Sequence, residues 1–435
     1  MKKGNLIVGL DVGTTKTCAV VGEVHPVRKS QDSLFSNRVR KTEGDSLSNN
    51  IDDLGVGIIA VGSAPSRGVK RGVVVNIEGT AESIKMAVEE AEAMAGIEIK
   101  AVYAGIAGER VSSFSSHGVI AIEEREISQR EIDKVIHAAK TMAIPFDKEV
   151  LHVVPVSFTV DGQNGVNDPR GMSGVRLEAN VRIITESATS VQNLVKSCQR
   201  AGLDVIDIVL DPFASAEATL CLEEKDLGVG IIDIGGGTTD IVLFHEGNPC
   251  YTAVLNVGGN NFTNDIAIGL RMPASEAEKI KRSHGCSLMS MVKQDEEIEI
   301  TYSGDRPSRK IPRQYLIEVL QPRAEELFYL VKEEIVKSGF YGIMTSGIVL
   351  TGGAALMQGM DVMAENILEL PVRVGGPRCI RGITDVVGYP VYSTGIGLVL
   401  YGAKEIMAEY RFNNGKMLGG VITRVKKWTR EVFKF

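Results

Sequence analysis

Several absences bound the reading of this 435-residue chain. Its six cysteines, Cys18, Cys198, Cys221, Cys250, Cys286 and Cys379, stand far apart, and none forms a Cys-x-x-Cys pair or sits near clustered histidines. That spacing suggests neither a zinc site nor a disulfide framework, and a reduced, cytosolic protein is the expectation. An excess of positive charge is also missing. With 48 Lys and Arg against 55 Asp and Glu the net charge is −7, so whole-molecule attraction to nucleic acid is not expected. The longest apolar stretches, such as 395–403, are far too short to span a bilayer, and Asp11 interrupts the N-terminal run before it can serve as a signal sequence. Nor does a Gly-Lys-Ser/Thr string open a helix, so the chain lacks a Walker-type phosphate loop.

What is present is one phrase written twice. Val8-Gly9-Leu10-Asp11-Val12-Gly13-Thr14-Thr15-Lys16 returns as Ile231-Ile232-Asp233-Ile234-Gly235-Gly236-Gly237-Thr238-Thr239-Asp240. Each copy is an apolar strand, an Asp, a glycine-rich turn with two threonines, and a second apolar run. Glycines bring backbone N–H groups close to phosphate oxygens without a Cβ in the way, and threonine hydroxyls add neutral donors. A carboxylate beside a polyphosphate is repelled unless a divalent cation lies between them, so Asp11 and Asp233 read as holders of hydrated Mg²⁺. Two such hairpins face to face would grip a nucleotide polyphosphate from both sides. A tight β-turn alone would explain either copy singly; the repetition in equivalent strand contexts argues against it.

Hydrophobic content of 44% and charged content of 24% are ordinary for a soluble globular protein of two to four domains. Strands and helices alternate throughout, the pattern of an α/β architecture. Residues 28–53 depart from it: polar, with five basic and five acidic side chains, they read as a surface insertion between two strands. Ile84, Val88, Ala91 and Ala95 form a helical stripe stopped by Gly96. Strands at 102–106, around 119–122 and at 150–160 follow, with a helix from about Ser128 to Met142 whose start carries a Ser128/Glu131 capping box. Together 85–165 read as a compact inserted α/β unit.

Three further features carry two readings each. Asp211-Pro212 opens a helix after an apolar strand, as a cap with proline or as a group orienting water toward a terminal phosphate. Thr351-Gly352-Gly353 follows a strand, as a plain turn or as backbone approaching adenosine. Glu278 and Lys281 lie on one helix face with Arg282, as that turn's partner across the adenosine or as a solvated face.

In this order these motifs resemble the actin/Hsp70/sugar-kinase superfamily, and within it the FtsA family of actin-like bacterial cell-division proteins. Supporting strings are Gly72-Val73-Val74-Val75-Asn76-Ile77, Asp211-Pro212-Phe213-Ala214, Val257-Gly258-Gly259-Asn260-Asn261-Phe262-Thr263, Leu320-Gln321-Pro322-Arg323-Ala324-Glu325-Glu326 and Leu350-Thr351-Gly352-Gly353-Ala354-Ala355-Leu356. The resemblance covers nearly the whole chain except 28–53, an insertion the family pattern lacks. It implies an actin-like two-lobed ATPase fold around an ATP cleft. Lobe 1 would comprise 1–84, 166–204 and 391–412; the inserted domain 85–165; lobe 2 would comprise 205–258 and 331–390, with a small subdomain at 259–330. It implies ATP and Mg²⁺ as cofactors, with Gly13, Thr14, Thr15, Lys16, Gly235, Gly236, Gly237, Thr238 and Thr239 cradling phosphates. Glu278, Lys281, Gly352 and Gly353 would flank adenosine, and Asp211 would be the catalytic candidate. Any ATP hydrolysis would be slow, because no strong general base stands out. The small subdomain would receive the C-terminal tail of FtsZ, the tubulin-like division protein. There Arg306, Arg309, Lys310 and Arg313 form a basic run suited to an acidic peptide, or else an ordinary solvated loop. Homopolymers, later division proteins and the cytoplasmic face of the inner membrane at the division septum complete the implied setting.

The tail points the same way. After Asn413-Asn414-Gly415 and Gly419-Gly420, residues Val421, Val425, Trp428 and Val432 recur on one helical face, with Ile422, Phe433 and Phe435 at its edges. Arg424, Lys426, Lys427, Arg430 and Lys434 cluster away from that stripe, against Glu431 alone. A basic amphipathic helix of this kind lies on an anionic membrane surface; the alternative is a helix docked on its own body. The leading expectation is an ATP-binding polymer that tethers the FtsZ ring. Its rivals are a PilM-like pilus-assembly scaffold, which the terminal helix argues against, and a small-molecule kinase, which would need a sugar pocket and a catalytic base.

Overall fold

Two runs of the chain are apolar enough to be buried on both faces, and each becomes the middle of a sheet. The computed structural model describes residues 6–25, 55–108, 110–123, 126–141, 144–300, 308–378 and 380–412. The insertion at 28–53, Arg306 and the expected membrane helix at 413–435 lie outside the described residues. Leu6–Val12 runs antiparallel to Lys16–His25 and parallel to Ala101–Ile106 in a six-stranded sheet, with Asp204–Leu210 at one edge. Val229–Ile234, buried along its whole length, runs antiparallel to Thr239–His245 and parallel to Ile348–Thr351 in a five-stranded sheet.

Each sheet is covered on both faces. One face of the first packs the helices Ile77–Ala95 and Ala188–Arg200 through Ile84, Ala87, Val88, Ala91, Val191 and Leu194. Asn76 caps the first of these, its Oδ1 accepting from Gly79 N, and Gly96 ends it in the left-handed region. The opposite face packs Ser393–Phe412 through Ile396, Val399 and Leu400. That helix lies against Asp211–Thr219, whose Ala216 joins a small core beneath the second sheet. The two helices thus sit between the sheets. The outer face of the second sheet packs Gly259–Gly269, Arg313–Lys337 and Met360–Leu368 around Phe262 and Phe328.

A third sheet carries the strand order Ser112–Ala121, Arg176–Ser187, Lys148–Val160, Gln163–Val166. The helix Gln129–Lys140 covers it, and the Ser128/Glu131 capping box is present. This sheet is drawn from 112–187, a different span from the 85–165 read in the sequence. Ile77–Ala95 packs on Gly55–Pro65 of the first sheet instead, while Arg176–Ser187 is the strand that joins Ser112–Ala121 to Lys148–Val160. The cause is nonlocal pairing, which no local pattern announces.

Candidate functional site

The repeated phrase folds into one structure twice. In the first hairpin Gly13 N donates to Lys16 O at 3.0 Å, and in the second Gly235 N donates to Thr238 O at 3.0 Å. The two turns meet tip to tip. A Cβ on Gly236 would stand 2.5 Å from Thr15 Cγ2, and one on Gly237 would stand 2.7 Å from Thr14 Oγ1. Glycine at 236 and 237 is therefore required by the approach of the opposite turn as well as by any phosphate. A small hairpin, Val69–Lys70 with Val73–Val74, adds a third wall: Gly72 N donates to Thr14 Oγ1 at 2.9 Å, and Arg71 Cα backs onto Gly237. Lys16 reaches Val391 O at 3.0 Å and lies 4.0 Å over the Tyr392 ring.

Behind the turns four carboxylates share one field. Asp11 is partly buried; Asp211, Asp233 and Asp240 are buried. Burial pushes Asp11 up to about 6, with Lys16 pulling it down and Asp233 pushing it up. Asp240 is pushed up to about 8 by burial and by Asp233, against a hydrogen bond from Thr238. Asp211 is driven well above the carboxylate range by burial, then by Asp11, Asp240 and Asp233. Burial raises Asp233 too, while Ser215 Oγ donates to its Oδ2 at 2.6 Å and Thr394 also donates. Among the described residues, Asp211 Oδ1 and Asp240 Oδ1 are buried with no hydrogen-bond partner. An anionic cluster with orphaned oxygens suits a hydrated cation, since each orphan costs on the order of 1–3 kcal/mol when left bare. Among the described residues, no three His, Cys, Asp or Glu side chains are arranged to ligate an ion directly.

Asp211 is not a helix cap. The helix starts at Asp211 itself after Leu210 as N-cap, without any capping side-chain bond, so the capping part of the structural reading falls, while Pro212 does stand in the first turn. Gly352 sits at φ +86°, where a Cβ would fall 2.3 Å from Asp233 Oδ1, so this turn serves the cluster by letting the Asp in. Gly353 is exposed beside it.

The Glu278/Lys281 face is not a solvated one. Lys281 Nζ pairs with Glu278 at 2.6 Å and donates to Gly259 O at 2.9 Å and Thr263 Oγ1 at 2.8 Å. Burial lowers the Lys281 pKa against the opposing pull of Glu278. Both residues therefore brace the helix whose first amides, Gly259 and Asn260, donate to Gly235 O and Gly236 O. Ala354 packs against Gly259, so the third turn, this brace and the second hairpin converge.

Arg309 and Lys310 are exposed on Arg309–Pro312, paired with Glu297–Ile300. Arg313 is a different case. It donates to His284 O, Glu296 Oε1 and Gln358 Oε1 at 2.9, 2.8 and 2.8 Å, so its guanidinium is spent inside the fold. Asp240, Ser215 and Thr394 were missed in the sequence. Asp240 had a signal, being the acidic residue inside the buried strand Thr239–His245.

The comparisons with known proteins agree with this architecture. The family described as Cell division protein FtsA matches residues 230–397, and the one described as SHS2 domain inserted in FTSA matches residues 108–185. The chain is 42% identical to the cell division protein FtsA of Pseudomonas aeruginosa, covering 100% of this chain and 99% of the relative. It is 37% identical to that of Escherichia coli strain K12, covering 98% of each, and 35% identical to that of Bacillus subtilis, covering 96% and 88%. Among solved structures, a PilM-PilN type IV pilus biogenesis complex aligns with a TM-score of 0.60 at 18% identity, covering 91% of this chain and 98% of that one. MreB5 of Spiroplasma citri bound to ADP aligns with a TM-score of 0.52 at 17% identity, covering 94% and 99%. The fold is thus actin-like, with an SHS2 domain inserted.

Proposed function

Because this chain belongs to the FtsA family of actin-like cell division proteins, we propose that it is an ATP-binding adaptor that polymerises at the division site and tethers the FtsZ ring to the inner membrane. One observation carries the nucleotide part of this reading: two equivalent glycine-threonine turns meet over four carboxylates, two of which hold orphaned buried oxygens. The turn amides of residues 13–16 and 235–239 would hold the phosphates. Asp11 and Asp233 would hold hydrated Mg²⁺, with Asp240 beside them. A bound cation would neutralise phosphate and carboxylate charge together. Asp211, raised and with Oδ1 unpartnered among the described residues, would be the group that handles a water near the terminal phosphate; with no stronger base beside it, hydrolysis would be slow.

In this reading lobe 1 is built on the first sheet and lobe 2 on the second, and the small subdomain takes in 259–330. The inserted domain is the 112–187 sheet with its helix, available for polymer and division-partner contacts. Exposed Arg309 and Lys310 supply charge for the acidic FtsZ tail, and Arg313 holds their strand in place. The terminal stripe of Val421, Ile422, Val425, Trp428, Val432 and Phe433 would lie on anionic lipid. Each nearby basic residue contributes about 1 kcal/mol there, and a polymer multiplies many weak anchors.

Co-sedimentation with anionic liposomes tests the whole. Full-length protein is expected to pellet with vesicles, more so with MgATP, and a truncation after Asn414 to stay in the supernatant. Equal behaviour of the two forms under every condition would remove the tether.

A further inference from the structure

Among the described residues Asp204–Leu210 is an edge strand, paired with Ala101–Ile106 alone, so its outward amides have no described strand to bond. At its last residue that need is met from another part of the molecule. Leu210 N donates to His152 Nε2 at 3.0 Å, and His152 belongs to Lys148–Val160 of the inserted sheet. The imidazole is buried, stacked on Phe213 with ring centroids 4.9 Å apart, and meets Tyr401 edge-on at 6.3 Å. Leu210 and Phe213 bracket Asp211: one is the N-cap of its helix, the other the third residue in it. Acceptance at Nε2 places the ring proton on Nδ1 and requires a neutral imidazole. Burial secures that, pushing His152 down to about 4.

We propose that His152 is a positioning residue for Asp211, through which the inserted domain sets the carboxyl of that residue in the cleft. It holds the backbone before Asp211 by a hydrogen bond and the turn after it by a ring face. Asp211 has little room to wander, since a Cβ on Gly105 would lie 2.3 Å from its Oδ1. A strand shift in the inserted sheet therefore reaches the carboxylate cluster through one side chain. The inference rests on the reading that Asp211 faces bound nucleotide.

The test is a double-mutant cycle in the full-length protein, read as MgATP affinity and single-turnover hydrolysis. Amide exchange across 205–219 is followed in parallel. His152→Phe keeps a ring to stack and removes the acceptor; it is expected to speed exchange at Leu210 and to lower the nucleotide response about tenfold. His152→Gln restores an acceptor and is expected to stay within about threefold of wild type. In an Asp211→Asn background the His152→Phe effect should vanish, because neighbours acting through one group are non-additive. Equal losses in both backgrounds would make His152 a packing residue and overturn the proposal. So would a His152→Phe protein with unchanged response beside an Asp211→Asn protein with a changed one, although the nucleotide reading would then stand. Wild-type protein that binds no MgATP would remove both. His152→Asn, too short to reach Leu210, is the second disrupting variant should the phenylalanine form fail to fold.

Discussion

Asp240 carries the cost of this site in a single side chain. It is buried, one of its oxygens has no partner, and its neighbours are acids. The charged form of Asp240 loses stability as pH rises toward about 8, and a neutral isostere is spared that loss. We therefore expect Asp240→Asn, without nucleotide, to gain on wild type in melting temperature as pH rises from about 6 to about 8, and to lose at least tenfold in MgATP affinity, by differential scanning fluorimetry and calorimetric titration. A variant that shows no such gain would contradict the burial of a raised carboxyl at this position. His152, Ser215 and Thr394 were not legible in the sequence, because each acts on a residue far from it in the chain. Asp211 was legible only as an ambiguity between a cap and a functional carboxylate, and Leu210 at the capping position removes the first of these.

Among the elements, the third glycine turn makes the narrowest demand. Gly352, at φ +86° and ψ 168°, occupies backbone space essentially reserved for glycine, and its missing Cβ is where Asp233 lies. Gly352→Ala should destabilise by about 1–3 kcal/mol on backbone strain alone and displace Asp233. Denaturant unfolding with a parallel nucleotide titration reads both; a variant of normal stability and affinity would contradict this geometry. The hairpins were legible because apolar run, Asp and glycines are adjacent in sequence and repeated. The inserted sheet was legible as strands and a capped helix, yet its limits were misdrawn, since Arg176–Ser187 finds partners more than fifty residues away in one direction. The basic run divides for the same reason. Arg309 and Arg313 look alike in sequence, and only folding brings His284, Glu296 and Gln358 around the second.

Across the whole molecule the buried ionisable groups set opposing pH slopes. Asp240 and Asp11, raised to about 8 and about 6, stabilise the metal-free fold below their unfolded pKa, and that stability is lost as pH rises through those values. Glu217 works the other way. Against burial that would raise it, Lys225 and then Lys404 hold it down to about 2, so its contribution is present above pH ~4.5 and disappears as pH falls toward about 2. His152 subtracts stability between about 6.5 and about 4, which offsets Asp11 over the same window. Because Asp240 and Asp211 go on losing stability where Asp11 and His152 cancel, the metal-free protein should be most stable at about pH 4.5 and decline above it, and MgATP should flatten that decline, as melting temperatures across pH in chelator and in MgATP would record. A fold in EDTA most stable near pH 8 would refute the shared field of the four acids. The twin turns have one more consequence, and it is kinetic. Each turn is fixed by the same 3.0 Å amide bond, so on the proposed reading the ligand would be held by both turns together. A nucleotide clasped by both would leave only when the two sheets part, and its residence time would then measure the opening rate of the cleft rather than the strength of any one contact.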